Sequence, residues 1–120
     1  MDGVYRPSEE ALAKRVEEDW GTLTWLASAA LTHCDTTLGR VTIRRGMSNP
    51  QHSHPNSTEV LHLLKGKLWH VIGDDAVLMR PGDTLSIPAG VPHGAFSVGD
   101  EDAEMIVAYP TGQRQFKLEA

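Results

Sequence analysis

The punctuation of this chain limits its fold more than any other feature. Turn-forming clusters recur at close intervals: Gly66-Lys67, Gly73-Asp74-Asp75, Pro81-Gly82-Asp83 and Gly99-Asp100-Glu101-Asp102. The runs between them (60–65, 68–72, 76–79, 84–87, 93–98 and 103–109) are of strand length, with residues 22–28 a further expected strand and 29–35 left unassigned. Residues 36–45 alternate most clearly, with Leu38, Val41 and Ile43 set among Thr and Arg. Many short strands with turn residues between them mean an all-β sandwich or barrel. The exception is at the start, where Leu12, Val16 and Trp20 recur at i, i+4 after Ser8, a residue suited to capping. Residues 8–20 are therefore expected to form a short amphipathic helix that Gly21 ends. The expected division is a helical arm over 1–21 and one β-domain over 22–120.

With 120 residues and a net charge of −5, the chain is long enough for one core. It has no basic patch to neutralise phosphates, which argues against nucleic acid as a partner; Arg44 and Arg45 are the only adjacent pair in its most basic run. The one cysteine, Cys34, rules out an internal disulfide and fits a reducing compartment. No run approaches membrane-spanning length and the first residues lack a signal-peptide pattern, so no membrane partner and a cytoplasmic location are expected.

Chemistry concentrates in two stretches. In the first, His52 and His54 stand at i and i+2, which on an extended strand puts both imidazoles on one face. Glu59 follows after a Pro/Asn/Ser loop that can fold it back beside them. In the second, Pro88, Gly90 and Pro92 form a stiff corner that delivers His93. Imidazole nitrogens with one carboxylate oxygen suit a single divalent transition metal ion (Fe, Mn, Ni, Co or Zn). Four such donors would leave about two positions of an octahedral ion open for a substrate or dioxygen.

Gly46, five residues, His52, His54, Glu59, six residues and Gly66 together resemble the first cupin motif at full match. Gly82, five residues, Pro88, Gly90 and His93 resemble the second. The departure is Ser97, where cupins often carry asparagine, a position that is not a metal ligand. The resemblance implies a double-stranded β-helix, the jelly-roll barrel of cupins, with the metal inside its mouth. It also implies a homodimer, since small single-domain cupins commonly pair through their sheets.

Strand parity turns Leu61, Leu63 and Lys65 to the same side as Glu59, and Ala95 and Ser97 to the same side as His93. Leu61, Leu63 and Ser97 are accordingly expected contacts to a small organic substrate. Trp69 and Tyr109 are expected contacts too, with Met79 and Met105 as further candidates, although the sequence does not fix the parity of these four relative to the site. His62 and His70 are expected to face outward. Trp20 and Trp25 are assigned to the core or an interface, and 112–120 to packing along a strand or a second subunit. The leading functional expectation is a dioxygenase-type oxidoreductase in which Glu59 offsets ion charge and, if it swings off the metal, accepts a substrate proton. One alternative is non-redox isomerase, lyase or cyclase chemistry on the same donors. The other is a ligand-binding or sensing module without turnover.

Overall fold

A computed structural model describes residues 1–119. In chain order its elements are α1 (Ser8–Ala13), β1 (Val16–Glu18), β2 (Gly21–Ala27), α2 (Ala29–Thr32), β3 (Thr37–Ile43), β4 (His52–Ser53) and β5 (Glu59–Lys65). They continue as β6 (Leu68–Ile72), β7 (Asp75–Met79), β8 (Thr84–Ile87), β9 (His93–Ser97), β10 (Ala103–Tyr109) and β11 (Lys117–Leu118). One sheet has the order β1-β2-β3-β10-β5-β8 and the other β11-β4-β9-β6-β7. Every pairing is antiparallel. From β3 onward the chain passes back and forth between the two sheets, which is the winding of a jelly roll.

Alternation places the core. In β3 and β10 every second side chain is buried, and these inward residues meet those of β5, β6, β7 and β9 in one cluster. Ile43, Leu63, Leu68, Met79 and Met105 lie at its centre. The turn residues act as their chemistry requires. Gly66 adopts φ +84°, and a Cβ there would come within 2.8 Å of the Ala103 Cα, so only glycine lets the β5–β6 turn lie against β10.

The N-terminus departs from the sequence expectation. α1 stops at Ala13, its N-cap is Pro7, and Ser8 contributes no side-chain cap. Residues 16–18 join the six-stranded sheet as β1, through a hairpin with Glu18 opposite Gly21. Val16 and Trp20, spaced four apart, share one face of a strand as well as of a helix. A helix of 13 residues is marginal in isolation, whereas the edge of β2 offers β1 ready hydrogen-bond partners. Gly21 therefore serves a close contact rather than a helix end: a Cβ there would lie 1.8 Å from the Thr42 carbonyl oxygen. The unassigned stretch 29–35 contains α2, whose first turn is capped by Ser28 Oγ accepting from the Leu31 N–H.

Candidate metal centre

Four donor side chains meet between the sheets. His52 lies on β4 and His54 just beyond it; Glu59 opens β5 and His93 opens β9. The β4–β9 ladder sets His52 directly opposite His93, so one donor from each motif is brought alongside by backbone pairing. Glu59 comes from the other sheet, opposite Ile87 of β8. The rigid corner ahead of His93 is clasped to the first motif: Gly90, at φ +79°, donates its N–H to the His54 carbonyl at 3.0 Å. Ring centroids of His52 and His93 are 4.3 Å apart, and those of His52 and His54 5.0 Å. One donor atom from each of the four residues lies within 4.8 Å of the other three, and all four side chains are buried.

Backbone carbonyls fix how the imidazoles face. His52 Nδ1 meets the Pro50 carbonyl at 2.8 Å, His54 Nδ1 that of Gln115 at 2.8 Å, and His93 Nδ1 that of Val91 at 2.9 Å. A carbonyl oxygen only accepts, so each Nδ1 carries its hydrogen and each Nε2 of the neutral ring presents a lone pair. The Nε2 atoms of His54 and His93 are buried without a hydrogen-bond partner. They face Glu59 oxygens at 3.2 Å and 3.6 Å, respectively. Two imidazole nitrogens this close to one carboxylate need a cation between them, a proton in the metal-free protein or a metal ion, and a divalent ion satisfies all four donors at once. The donor set thus suits a metal ion.

The electrostatics agree. Burial lowers His52 to about 4, so it stays neutral and able to donate at ordinary pH. Burial alone would raise Glu59, but the His54 contact, the neighbouring His93 and the Tyr109 hydroxyl outweigh it and hold the carboxyl at about 2. Tyr109 donates to Glu59 Oε1. Its phenol is pushed well above the ordinary range by burial and by the Glu59 charge, so it remains a donor.

A cavity of about 560 Å³ opens on the donors. Of the expected substrate contacts, Leu61 and Tyr109 line it, as does Met105. Three do not. Leu63 is wholly buried in the core, because successive inward residues of β5 step away from Glu59 into the packed interior. Ser97 stands two residues beyond Ala95 on β9, opposite Leu68, and is buried there with its Oγ unpartnered. Trp69 is 44% exposed on the outer face of β6, since its neighbour His70 takes the inward position. Met79 likewise packs in the core rather than along the cavity.

The inward turn of His70 reverses the expectation for that residue. It is 2% exposed, lines the cavity, and has neither ring nitrogen hydrogen-bonded to protein; its ring lies 5.9 Å from that of His93. Burial holds it at about 4 and hence neutral. His62, by contrast, does face out and meets the Thr84 hydroxyl at 2.8 Å. The tail also reaches the site: Phe116 stacks on His52 with 4.9 Å between centroids, and Arg114 lines the cavity beside Trp25. The sequence signal for His70 was its parity with Leu68, an apolar residue that has to face the core. Nothing in the local pattern of the tail marks Arg114 or Phe116.

The chain is 32% identical over 78 residues to germin-like protein 3-8 of Oryza sativa subsp. japonica, a match covering 61% of this chain and 35% of that protein. It is 33% identical over 81 residues to oxalate oxidase GF-2.8 of Triticum aestivum, covering 61% and 36%. The chain thus spans about a third of the length of these curated relatives. Among solved structures, the oxalate decarboxylase of Lactobacillus farciminis superposes with a TM-score of 0.82 at 18% identity, over 88% of this chain and 33% of that one. An oxalate oxidase superposes with a TM-score of 0.77 at 24% identity, over 98% and 71%. At such identities these two likenesses speak for the fold alone. The family profile described as "Cupin domain" matches residues 39–109, more than half of the sequence and all four donors, and the chain belongs to the cupin family.

Proposed function

We propose that this cupin is a metal-dependent oxidoreductase that uses dioxygen to cleave a small organic substrate, with His52, His54, His93 and Glu59 holding the ion. The observation that carries this reading is the set of three imidazoles locked by backbone carbonyls, with the free nitrogens of His54 and His93 turned toward the Glu59 carboxylate and a donor atom of His52 within 4.8 Å of theirs. A redox-active divalent ion held there would supply electron exchange with dioxygen. The protein's own contribution is orientation, charge and proton placement. Glu59, kept ionised, offsets the ion's charge. Because Tyr109 occupies Oε1, Glu59 would take a substrate proton on Oε2, and only when swung off the ion. His70 offers the substrate a neutral hydrogen-bonding group inside the cavity. The apolar walls formed by Leu61, Val107 and Met105 exclude water from the donors. The likeness to oxalate oxidase GF-2.8 supports an oxidative reaction.

Non-redox cleavage or isomerisation on the same donors is a second reading. His70 favours it, because an unpaired imidazole beside the site serves proton transfer and has no part in electron transfer. One experiment separates the two. Metal is measured in protein purified without metal-affinity resin, and oxygen uptake is followed with enolic and phenolic substrates in air and under strict anaerobiosis. Oxygen consumption matched to turnover is the expected result. Equal turnover without oxygen would establish the second reading, and absence of bound metal would overturn both. The reading includes a homodimer as the working form.

A further inference from the structure

Arg114 is the feature of the cavity that a metal centre alone leaves unexplained. Its guanidinium carbon stands 4.2 Å from the Trp25 ring centroid, 5.5 Å from that of Tyr109 and 5.9 Å from that of Phe116. Tyr109 and Phe116 in turn pack on the donors, at 4.8 Å from His54 and 4.9 Å from His52 between ring centroids. A single aromatic ring therefore separates the cation from the donor cluster. Trp25 is closely backed: a Cβ on Gly39 would come within 2.6 Å of its ring, and Tyr109 packs against it at 6.4 Å. Of the other arginines, Arg15 and Arg44 pair with Glu17 and Arg40 with Glu104, Arg6 donates to the Trp25 carbonyl, and Arg45 and Arg80 make no ion pair among the described residues. Arg114 makes no ion pair with any described carboxylate. A guanidinium held by ring faces keeps the N–H donors along its edge available, the geometry that takes a carboxylate through two parallel bonds.

The cavity's size and walls narrow the ligand further. Its volume of about 560 Å³ lies in the range of pockets that take drug-sized molecules, about 300–1,000 Å³. That leaves room far beyond a two-carbon diacid. Trp20, Leu23 and Val41 add to an apolar lining. Glu18, exposed on β1, is with Glu59 one of the two described carboxylates along it, and its charge opposes a ligand carrying several negative groups.

We propose that this site takes an amphipathic organic acid whose carboxylate pairs with Arg114, whose apolar body lies against the lining formed by Trp20, Leu23 and Val41, and whose far end would chelate the ion. The proposal rests on the metal-centre reading, and the two can fail separately. Three probes distinguish them on the metal-loaded full chain by titration calorimetry: phenylacetohydroxamic acid, its para-carboxy derivative and the neutral para-carboxamide. The carboxy probe is expected to bind at least about tenfold more tightly than the carboxamide, with the ratio shrinking as salt rises. Arg114→Gln should bring the ratio to about one, and Arg114→Lys, which keeps the charge but loses the planar fork, should leave it intermediate. Phenylacetohydroxamic acid, which carries no carboxylate, should be held alike by all three proteins. A merely structural role for Arg114 would move the melting temperature and leave the ratio alone. Equal binding of carboxy and carboxamide probes by the unsubstituted protein would overturn the proposal even if no variant folds. Failure of the protein to take up a metal ion would remove the metal centre and this proposal with it, whereas failure of the loaded protein to bind phenylacetohydroxamic acid would overturn this proposal alone.

Discussion

At the scale of single residues, the site depends on imidazoles aimed at one point by backbone carbonyls. His54→Ala and His93→Ala each remove a buried donor nitrogen, and each variant should lose most of its metal while keeping the β-rich circular dichroism of the parent. Near-stoichiometric metal in both would mean that the donors are misassigned. Acid should act on the metal-free protein through the same groups. Burial lowers His52 and His70 from 6.5 to about 4, so the unfolded chain takes up their protons more readily than the folded one. Their contribution to stability is complete above about 6.5 and is lost as the pH falls toward 4. Glu59, lowered from 4.5 to about 2, adds a further loss below 4.5. Denaturant midpoints measured from pH 7 to pH 4 should fall, and His70→Leu should flatten that fall by removing a buried imidazole without a protein partner. An unchanged slope in His70→Leu would mean that this ring is not the source.

At the scale of elements, the centre is assembled by pairings that join distant parts of the chain. Asn56 brackets the tail, its Nδ2 donating to the Gln113 carbonyl at 2.9 Å and its Oδ1 accepting from the Gln115 N–H at 2.9 Å. That bracket holds the Gln115 carbonyl on His54 Nδ1. Asn56→Ala should therefore weaken metal retention about 10-fold, in line with the usual cost of losing the support behind a ligand, read as faster loss to a competing chelator. The same elements explain what the sequence revealed and what it hid. His52, His54, Glu59 and His93 were legible because glycine and proline at fixed spacings announce their turns. β3 was legible because its alternation is strong, and β2 and β10 because they are β-prone runs of strand length. β1 was hidden because Val16 and Trp20 fit two periods equally, and the partner that decides between them is the β2 edge. Arg114 and Phe116 were hidden because their place depends on β11 pairing with β4, a contact between chain segments with no local signature.

At the scale of the whole molecule, two sheets share one core, and close approaches between strands hold them in register. Gly21→Ala would drive a methyl into the Thr42 carbonyl and should cost about 3 kcal/mol, visible as a lowered denaturant midpoint. On the outside of the five-stranded sheet Trp69 and Phe96, directly opposed across β6 and β9, remain nearly half exposed. A proposed homodimer joined there predicts a two-chain species in sedimentation velocity that Trp69→Glu with Phe96→Glu converts to single chains. If the doubly substituted protein sediments as its parent does, pairing through this face is excluded. The tail carries a different kind of consequence. Since the Gln115 carbonyl steadies one donor and β11 lies along the strand bearing another, residues 115–118 work as a tether. A pull on that end would be felt first by the imidazoles, and the grip on the ion would slacken before the sheets came apart.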